Sequence, residues 1–206
     1  MQMSIYKKVL ENQFYDLHPM LQRRYEFKRN SIFKATGVMK CVRGGPMWLF
    51  PIFWLGKKYK LFFPESGKNI PFEIVNSQII ASDGTEQVHW ERVFYFNHKK
   101  RFFNARMYLN SEQNLIQDYL GEPAKFYSDL ALSITKEGGL RIDSKKQRLV
   151  LPFIEIPLPK IFQGLATVTE TYMETKAVYY IQVQVKNPII GTVFSYEGEF
   201  KSNDIF

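Results

Sequence analysis

Val88-His-Trp-Glu-Arg-Val-Phe-Tyr-Phe96, Asn97-His-Lys-Lys100, Arg101-Phe-Phe-Asn-Ala-Arg-Met-Tyr-Leu109 and then Asn114–Gly121 make up the stretch on which the fold turns. In the first segment Val88, Trp90, Arg92, Phe94 and Phe96 share one face, and His89, Glu91, Val93 and Tyr95 share the other. In the segment after the turn, Phe103, Ala105, Met107 and Leu109 oppose Phe102, Asn104, Arg106 and Tyr108. Alternation of this kind, with one greasy face and one mixed face, belongs to an antiparallel sheet that has a core side and a partly polar side. The stretch reads as the middle of a large antiparallel sheet.

Upstream and downstream segments extend it. Ser31–Val42, Ile70–Ile80, Phe126–Thr135, Leu140–Ile142 and Arg148–Phe153 read as strands, the last two separated by a basic connection at Ser144–Gln147. Leu165–Met173, Val178–Val185 and Thr192–Phe200 supply three more. Turns are expected at Gly44-Gly45, Pro64–Gly67, Ser82-Asp83-Gly84, Gly138-Gly139 and Asn187–Gly191. The proline-punctuated piece Ile156–Phe162 is unsuited to a central strand and is expected at an edge or in a crossing loop.

Only the N-terminal part has helical spacing. Ser4 is placed as an N-cap, and Ile5, Val9, Phe14, Leu17, Leu21 and Tyr25 recur at roughly three to four residues. His18-Pro19 breaks the pattern, so two short helices are expected within Ser4–Phe27, with His18 in a capping role at the boundary. A second departure is Pro46-Met-Trp-Leu-Phe-Pro-Ile-Phe-Trp-Leu55, flanked by Arg43 and by Lys57, Lys58 and Lys60. Ten residues are too few to cross a bilayer as a helix, which takes about 20. The run is read either as a short helix plugging the sheet, or as an interfacial wedge or lid over an apolar pocket. Tryptophans beside lysines suit a lipid headgroup boundary.

Charge is unevenly spread. The chain of 206 residues has a net charge of +8, and residues 1–70 carry 13 Lys and Arg against 4 Asp and Glu. That asymmetry is read as a basic surface for an acidic partner, or as a merely solvated face. With 45% hydrophobic residues, 18 Phe and 12 Tyr, the chain has ample material for a core and is not of disordered type. The single cysteine, Cys41, excludes an internal disulfide framework. No N-terminal stretch has the layout of a signal peptide, so a cytoplasmic location is expected, with peripheral membrane contact as a refinement.

The ordered series Gly37-Val-Met-Lys with Gly44-Gly45, Leu61-Phe-Phe-Pro-Glu-Ser-Gly67 with Ile70-Pro-Phe72, Asp118-Tyr-Leu-Gly121, Gly138–Ile142, Asn187-Pro with Gly191, and Tyr196-Glu-Gly198 resembles a bacterial domain of unknown function, family number 4166. The resemblance runs over about residues 4 to 200. Members of that family occur alone or after a Rossmann-type, saccharopine-dehydrogenase-like domain; this chain has no G-x-G-x-x-G after a strand, so it is expected to be a standalone member. The family implies little about activity, and no functional residues carry over from it.

Direct motifs for chemistry are absent. His18, His89, His98 and Cys41 lie too far apart for a local metal motif, and neither a G-x-S-x-G elbow nor a phosphate-cradling loop is present. No catalytic residue, metal or cofactor is therefore assigned. The aromatics are not arranged as an RNA-recognition signature, which disfavours a nucleic-acid partner.

Three readings remain open. All share one domain spanning 1–206, of α+β class but mostly β. It has a helical segment at 1–30, a large curved, half-barrel or barrel-like antiparallel sheet over 31–200 and a tail at 201–206, with the N-terminal helices and the Pro46–Leu55 segment packed against the sheet. The first reading is a non-enzymatic carrier of an apolar or amphiphilic small molecule, at or near an anionic membrane, with Trp48, Phe50, Phe53 and Trp54 at the pocket entrance and Trp90, Arg92, Arg106 and Asp118 as further ligand-binding residues. The second is an accessory subunit of a Rossmann-type oxidoreductase. The third is an enzyme whose polar site is a cross-strand network of Arg92, Arg106 and Asp118 on the mixed face.

Overall fold

A computed structural model describes residues 3–26, 31–81 and 84–203. The expected turn residues Ser82 and Asp83, the end of the N-terminal segment at 27–30 and the last three residues of the tail lie outside the described residues.

The described residues form twelve strands, each antiparallel to every strand it pairs with: β1 (Ile32–Arg43), β2 (Gly67–Ile80), β3 (Glu86–Phe96), β4 (Lys99–Phe102), β5 (Ala105–Asn110), β6 (Leu115–Leu120), β7 (Phe126–Ile134), β8 (Leu140–Val150), β9 (Glu155–Pro157), β10 (Leu165–Met173), β11 (Val178–Asn187) and β12 (Gly191–Ser202). Hydrogen bonding runs β10-β11-β12-β1-β2-β3-β5-β6-β7-β8, and β8 pairs back onto β10 through Leu140–Asp143 and Thr167–Glu170. The curved sheet thus closes into a ten-stranded antiparallel barrel. The short β4 and β9 extend from β3 and β8 beyond the closed ring.

Closure requires strands to coil tightly, and two glycines permit it where β1 meets β12. A Cβ on Gly37 would fall 2.1 Å from the Glu199 carbonyl oxygen, and one on Gly198 would fall 2.3 Å from that of Val38. The register also slips by one residue between Met39 and Cys41, a bulge that increases local twist.

Two strand boundaries differ from the sequence reading. Ser144–Gln147 is no connection: β8 runs unbroken through it, because its charged residues Lys145 and Lys146 are exposed while Ser144 is buried. Conversely, the alternating segment Arg101–Leu109 is two strands. At the break the Phe103 amide donates to the Arg92 carbonyl and the Asn104 amide to that of Lys60, so the backbone leaves the ladder for two residues.

Helices cover the two ends. At one end α1 (Ile5–Leu10), a 3-10 turn over Glu11–Asp16 and α2 (Pro19–Tyr25) form the seal. Ser4 caps α1 by accepting from the Lys7 amide, and His18 caps α2, its Nδ1 accepting from the Met20 amide. Both roles match the sequence reading. His18 N–H donates to the Gly138 carbonyl and Tyr179 Oη to that of Met20, fastening the seal to the β7–β8 turn and to β11. Arg24 reaches into the barrel, ion-paired with Glu170 and donating to Asn76 Oδ1 at 3.0 Å, all three fully buried.

At the opposite end, Met47–Leu49 and α3 (Phe50–Lys58) form a lid between β1 and β2. Its Phe53 is buried while Trp48, Phe50, Ile52, Trp54 and Leu55 are exposed. Gly56 packs directly on the backbone of Phe62, where a Cβ would come within 3.1 Å of the carbonyl.

Candidate functional site

Ten strands enclose more space than eight, whose side chains just fill a barrel. Along β12, β2 and β3 much of that space is taken by rings. Phe72, Phe94 and Tyr196 contact one another at centroid separations of 5.0, 5.1 and 6.3 Å. Many inward positions of β7, β8 and β10 are smaller, among them Ser128, Leu130, Ile142, Ser144, Ala166 and Val168, with Phe126 the one ring on that wall. Against this second wall lies a cavity of about 720 Å³, inside the range of roughly 300–1,000 Å³ usual for small-molecule sites.

Trp90 of β3 and Met107 of β5 form the cavity floor. Trp90 Nε1 donates to Tyr6 Oη at 2.8 Å, and that hydroxyl donates to Met107 Sδ at 3.2 Å, so the floor is tied to the sealing helix α1. The roof is Leu49, Ile52 and Phe53 from the lid. Across from the lid, Leu158, Ile161 and Phe162 from the segment between β9 and β10 form the other lip.

Most polar groups on the walls are spent within the walls. Ser144 Oγ accepts from the Ala166 amide at 2.7 Å, and Gln147 bonds Gly164 through both its amide nitrogen and oxygen, at 2.7 and 2.9 Å. Arg92 and Asp118 are different. Arg92 is 5% exposed; its Nε donates to the Phe103 carbonyl at 2.7 Å, its Nη1 to Tyr196 Oη at 3.2 Å, and its guanidinium lies 4.0 Å from the Phe103 ring centroid. Nη2 makes no hydrogen bond among the described residues. Asp118 is 6% exposed, forms no ion pair among the described residues, and its Oδ1 is enclosed with no hydrogen-bond partner. Burial pushes its carboxyl up to about 7, with the positive field of Arg92 pulling part of the way back.

The residues singled out from sequence divide cleanly. Trp48, Phe53, Trp90, Arg92 and Asp118 line the cavity. Phe50 and Trp54 lie on the outer face of the lid, 52% and 57% exposed. Arg106 is separated from Arg92 and Asp118: it projects from the outside of the barrel opposite His89, whose imidazole is held below its usual range by burial and then by Arg106. The expected three-residue network on the mixed face therefore does not form. The alternation explains why, since Arg92 is in phase with Trp90 and Phe94, which face inward, and Arg106 is out of phase with Ala105 and Met107.

Sequence reasoning missed Ser128, which faces Asp118 across β6 and β7, and the lip residues Ile161 and Phe162. The proline-rich context of the lip was visible, but nothing in it indicated which side of the barrel mouth it would reach.

Around the mouth the surface is unusually greasy. Besides the lid residues, Phe153, Ile154, Phe162 and Ile189 are at least 60% exposed. The acids of this end are neutralised: Glu65 by Arg101, Glu122 by Lys60 and Glu155 by Arg148. Lys57, Lys58, Lys160 and Lys186 are exposed and form no ion pair among the described residues. Elsewhere the basic excess of the first third is partly cancelled, with Lys8 paired to Glu86, Arg24 to Glu170 and Lys40 to Glu199. No helix among the described residues is long and apolar enough to cross a membrane.

Comparison with known proteins places this barrel in a family without adding a function. A Bacillus subtilis (strain 168) protein named "Uncharacterized protein YndH" is 38% identical over 201 residues, covering 98% of each chain. No solved structure matches. The sequence profile of the domain of unknown function DUF4166 matches residues 17–200, and with nine-tenths of its length in that match the chain belongs to the DUF4166 family.

Proposed function

We propose that this protein binds an amphiphilic small molecule inside its barrel and exchanges it through the lidded mouth at an anionic membrane surface, without transforming it. The observation that carries the reading is the cavity: about 720 Å³, walled by aliphatic and aromatic side chains, closed at the sealed end and ending at a greasy mouth. A non-polar tail gains roughly 25 cal/mol for each Å² it removes from water in such a site. At the mouth, exposed rings would enter the headgroup region while Lys57, Lys58, Lys160 and Lys186 meet anionic lipid. The lid supports this: Lys57 lies 5.1 Å from the Trp54 ring centroid, keeping cation and ring together at the same height.

Native mass spectrometry of the purified protein, followed by organic extraction, tests the reading directly. The expected result is a discrete adduct of a few hundred daltons, present on isolation or acquired after exposure to lipid extract. A bare mass under both conditions overturns it.

One observation favours a second reading as an enzyme. A carboxyl titrating near neutrality inside a cavity is suited to general acid–base work. In that case the molecule extracted after incubation would differ chemically from the one supplied, and Asp118→Asn would abolish the difference.

A further inference from the structure

Arg92 and Asp118 sit together inside an otherwise apolar cavity, each with hydrogen-bonding capacity left unused, and not paired with one another. From this juxtaposition we infer that the bound amphiphile carries a single carboxylate head, seated on Arg92, with Asp118 protonated beside it, so that each molecule bound takes up one proton from solvent. The inference rests on the carrier reading and specifies its ligand.

The three possible head charges have different consequences in a dry cavity. A guanidinium is cationic at every pH at which proteins fold. A cationic head would therefore put two positive charges against one carboxylate and leave a net charge in low dielectric, which is costly. A neutral head would leave ionised Asp118 as the counter-ion of Arg92, although the two form no direct ion pair and the carboxylate would stay desolvated. An anionic head neutralises Arg92 and makes charge-assisted hydrogen bonds to its free Nη2. It also repels the second anion, so Asp118 binds a proton and becomes a donor, and its enclosed oxygens cease to be a desolvated charge. This arrangement gives Arg92 a directly bonded counter-ion and leaves no desolvated carboxylate on Asp118, with zero net charge.

The guanidinium is already oriented for the task. Two of its nitrogens are fixed, by the Phe103 carbonyl and Tyr196 Oη, and the Phe103 ring supports its plane. The groups around Asp118 leave little else to respond to pH. Arg92 comes from β3 and the buried Tyr6 hydroxyl from α1, itself held well above the usual phenol range by burial; Met107 of β5 and Ser128 of β7, opposite Asp118 in register, do not titrate. Beneath the floor, Arg24 and Glu170 neutralise one another, and at the upper wall Lys125 lies 4.7 Å from the Tyr59 ring centroid.

The sign of the pH effect follows. With the free carboxyl titrating at about 7 and the ligand-bound one higher, binding consumes a proton only above pH 7. Affinity should be flat from about pH 6 to 7 and then fall by up to about tenfold per pH unit.

Dodecanoic acid, 1-dodecanol and dodecylamine share one tail and differ in head charge, and calorimetry on the full chain can rank them. Dodecanoate should bind tightest. At pH 8, titrations in buffers of different ionisation enthalpy should report close to one proton taken up per dodecanoate and none per dodecanol. Arg92→Gln should weaken dodecanoate by at least about tenfold and dodecanol by less than about threefold. Asp118→Asn, which stands in for the protonated acid, should remove both the proton uptake and the pH dependence of dodecanoate binding. It tests the idea even if Arg92→Gln does not fold. If dodecanol or dodecylamine binds as tightly as dodecanoate, or dodecanoate binds without proton uptake, the carboxylate assignment is overturned while the carrier reading stands. If none of the three binds, both fall.

Discussion

The barrel has two kinds of inner wall. On β12, β2 and β3 a cluster of rings fills the interior: Phe72, Phe94, Phe194, Tyr196 and Phe200, joined by Phe63 from the segment before β2, are fully buried in a continuous chain of ring contacts. On β6, β7, β8 and β10 the residues lining the cavity are mostly Ser, Ala, Val, Leu and Ile, with Asp118, Gln147 and the single ring of Phe126. Ring size, rather than strand number alone, decides where the interior is full. The same closed sheet is a packed core on one side and the wall of a cavity on the other, and mutations on the two sides should behave oppositely.

The largest contrast comes from deleting a ring on the packed wall. Phe72 is 1% exposed and touches Phe94, Tyr196 and Phe200. Phe72→Ala opens a new cavity where neighbours are already locked, and should cost about 3–5 kcal/mol in urea unfolding.

Asp118 on the other wall should show the reverse sign. Its carboxyl in the folded chain titrates at about 7, above the ordinary 3.8. The folded state thus holds a proton that the unfolded chain has released, and stability falls as pH rises from about 4 to 7, then levels off. Asp118→Asn removes that dependence. It should stabilise the empty protein by up to a few kcal/mol at pH 8, with the gain disappearing below about pH 4; melts across that range check it. A wild-type stability that rises between pH 5 and 7, with no difference from the variant, would mean that the carboxylate is well solvated.

A smaller effect is expected from adding a ring to the thin wall. Val168 of β10 lines the cavity, so Val168→Phe can extend into empty space instead of overpacking. Stability should change by less than about 1.5 kcal/mol, while uptake of a lipid-derived adduct, read by native mass spectrometry, should drop sharply.

How much of this was written in the sequence depends on the kind of residue. The curved sheet, the mostly β class, the two N-terminal helices and both caps could be read, because strand alternation, Ser4 and His18-Pro19 are local signals. The choice between half-barrel and barrel was left open, since closure depends on the pairing of β8 with β10, between segments that carry no mark of being partners. The inward direction of Arg92 was present in its phase with Trp90 and Phe94, but grouping it with Arg106 and Asp118 as a cross-strand network placed it on the mixed face. Only the cavity makes its burial intelligible. Likewise the apolar run at Pro46–Leu55 was visible as exceptional, yet the split between Phe53 inside and Trp54 outside is set by how the lid sits on Phe62 and the barrel rim.

That split sets the smallest stability effect and the clearest test of the mouth. Trp54 is 57% exposed, does not line the cavity, and has Lys57 over its ring at 5.1 Å. Removing an exposed ring away from any cap, core contact or strained backbone should change stability by less than about 0.5 kcal/mol. Trp54→Ala should therefore leave the melting curve and the affinity for a soluble ligand as they were. Binding to vesicles rich in anionic lipid should weaken, since the ring is lost from the headgroup boundary, and the double change Lys57→Glu with Lys58→Glu should weaken it further, by an amount that shrinks as salt is raised. Vesicle flotation at two salt concentrations separates the contributions. If both variants float like the wild type, the greasy rim is the cover of a closed chamber, and the ligand must enter from water.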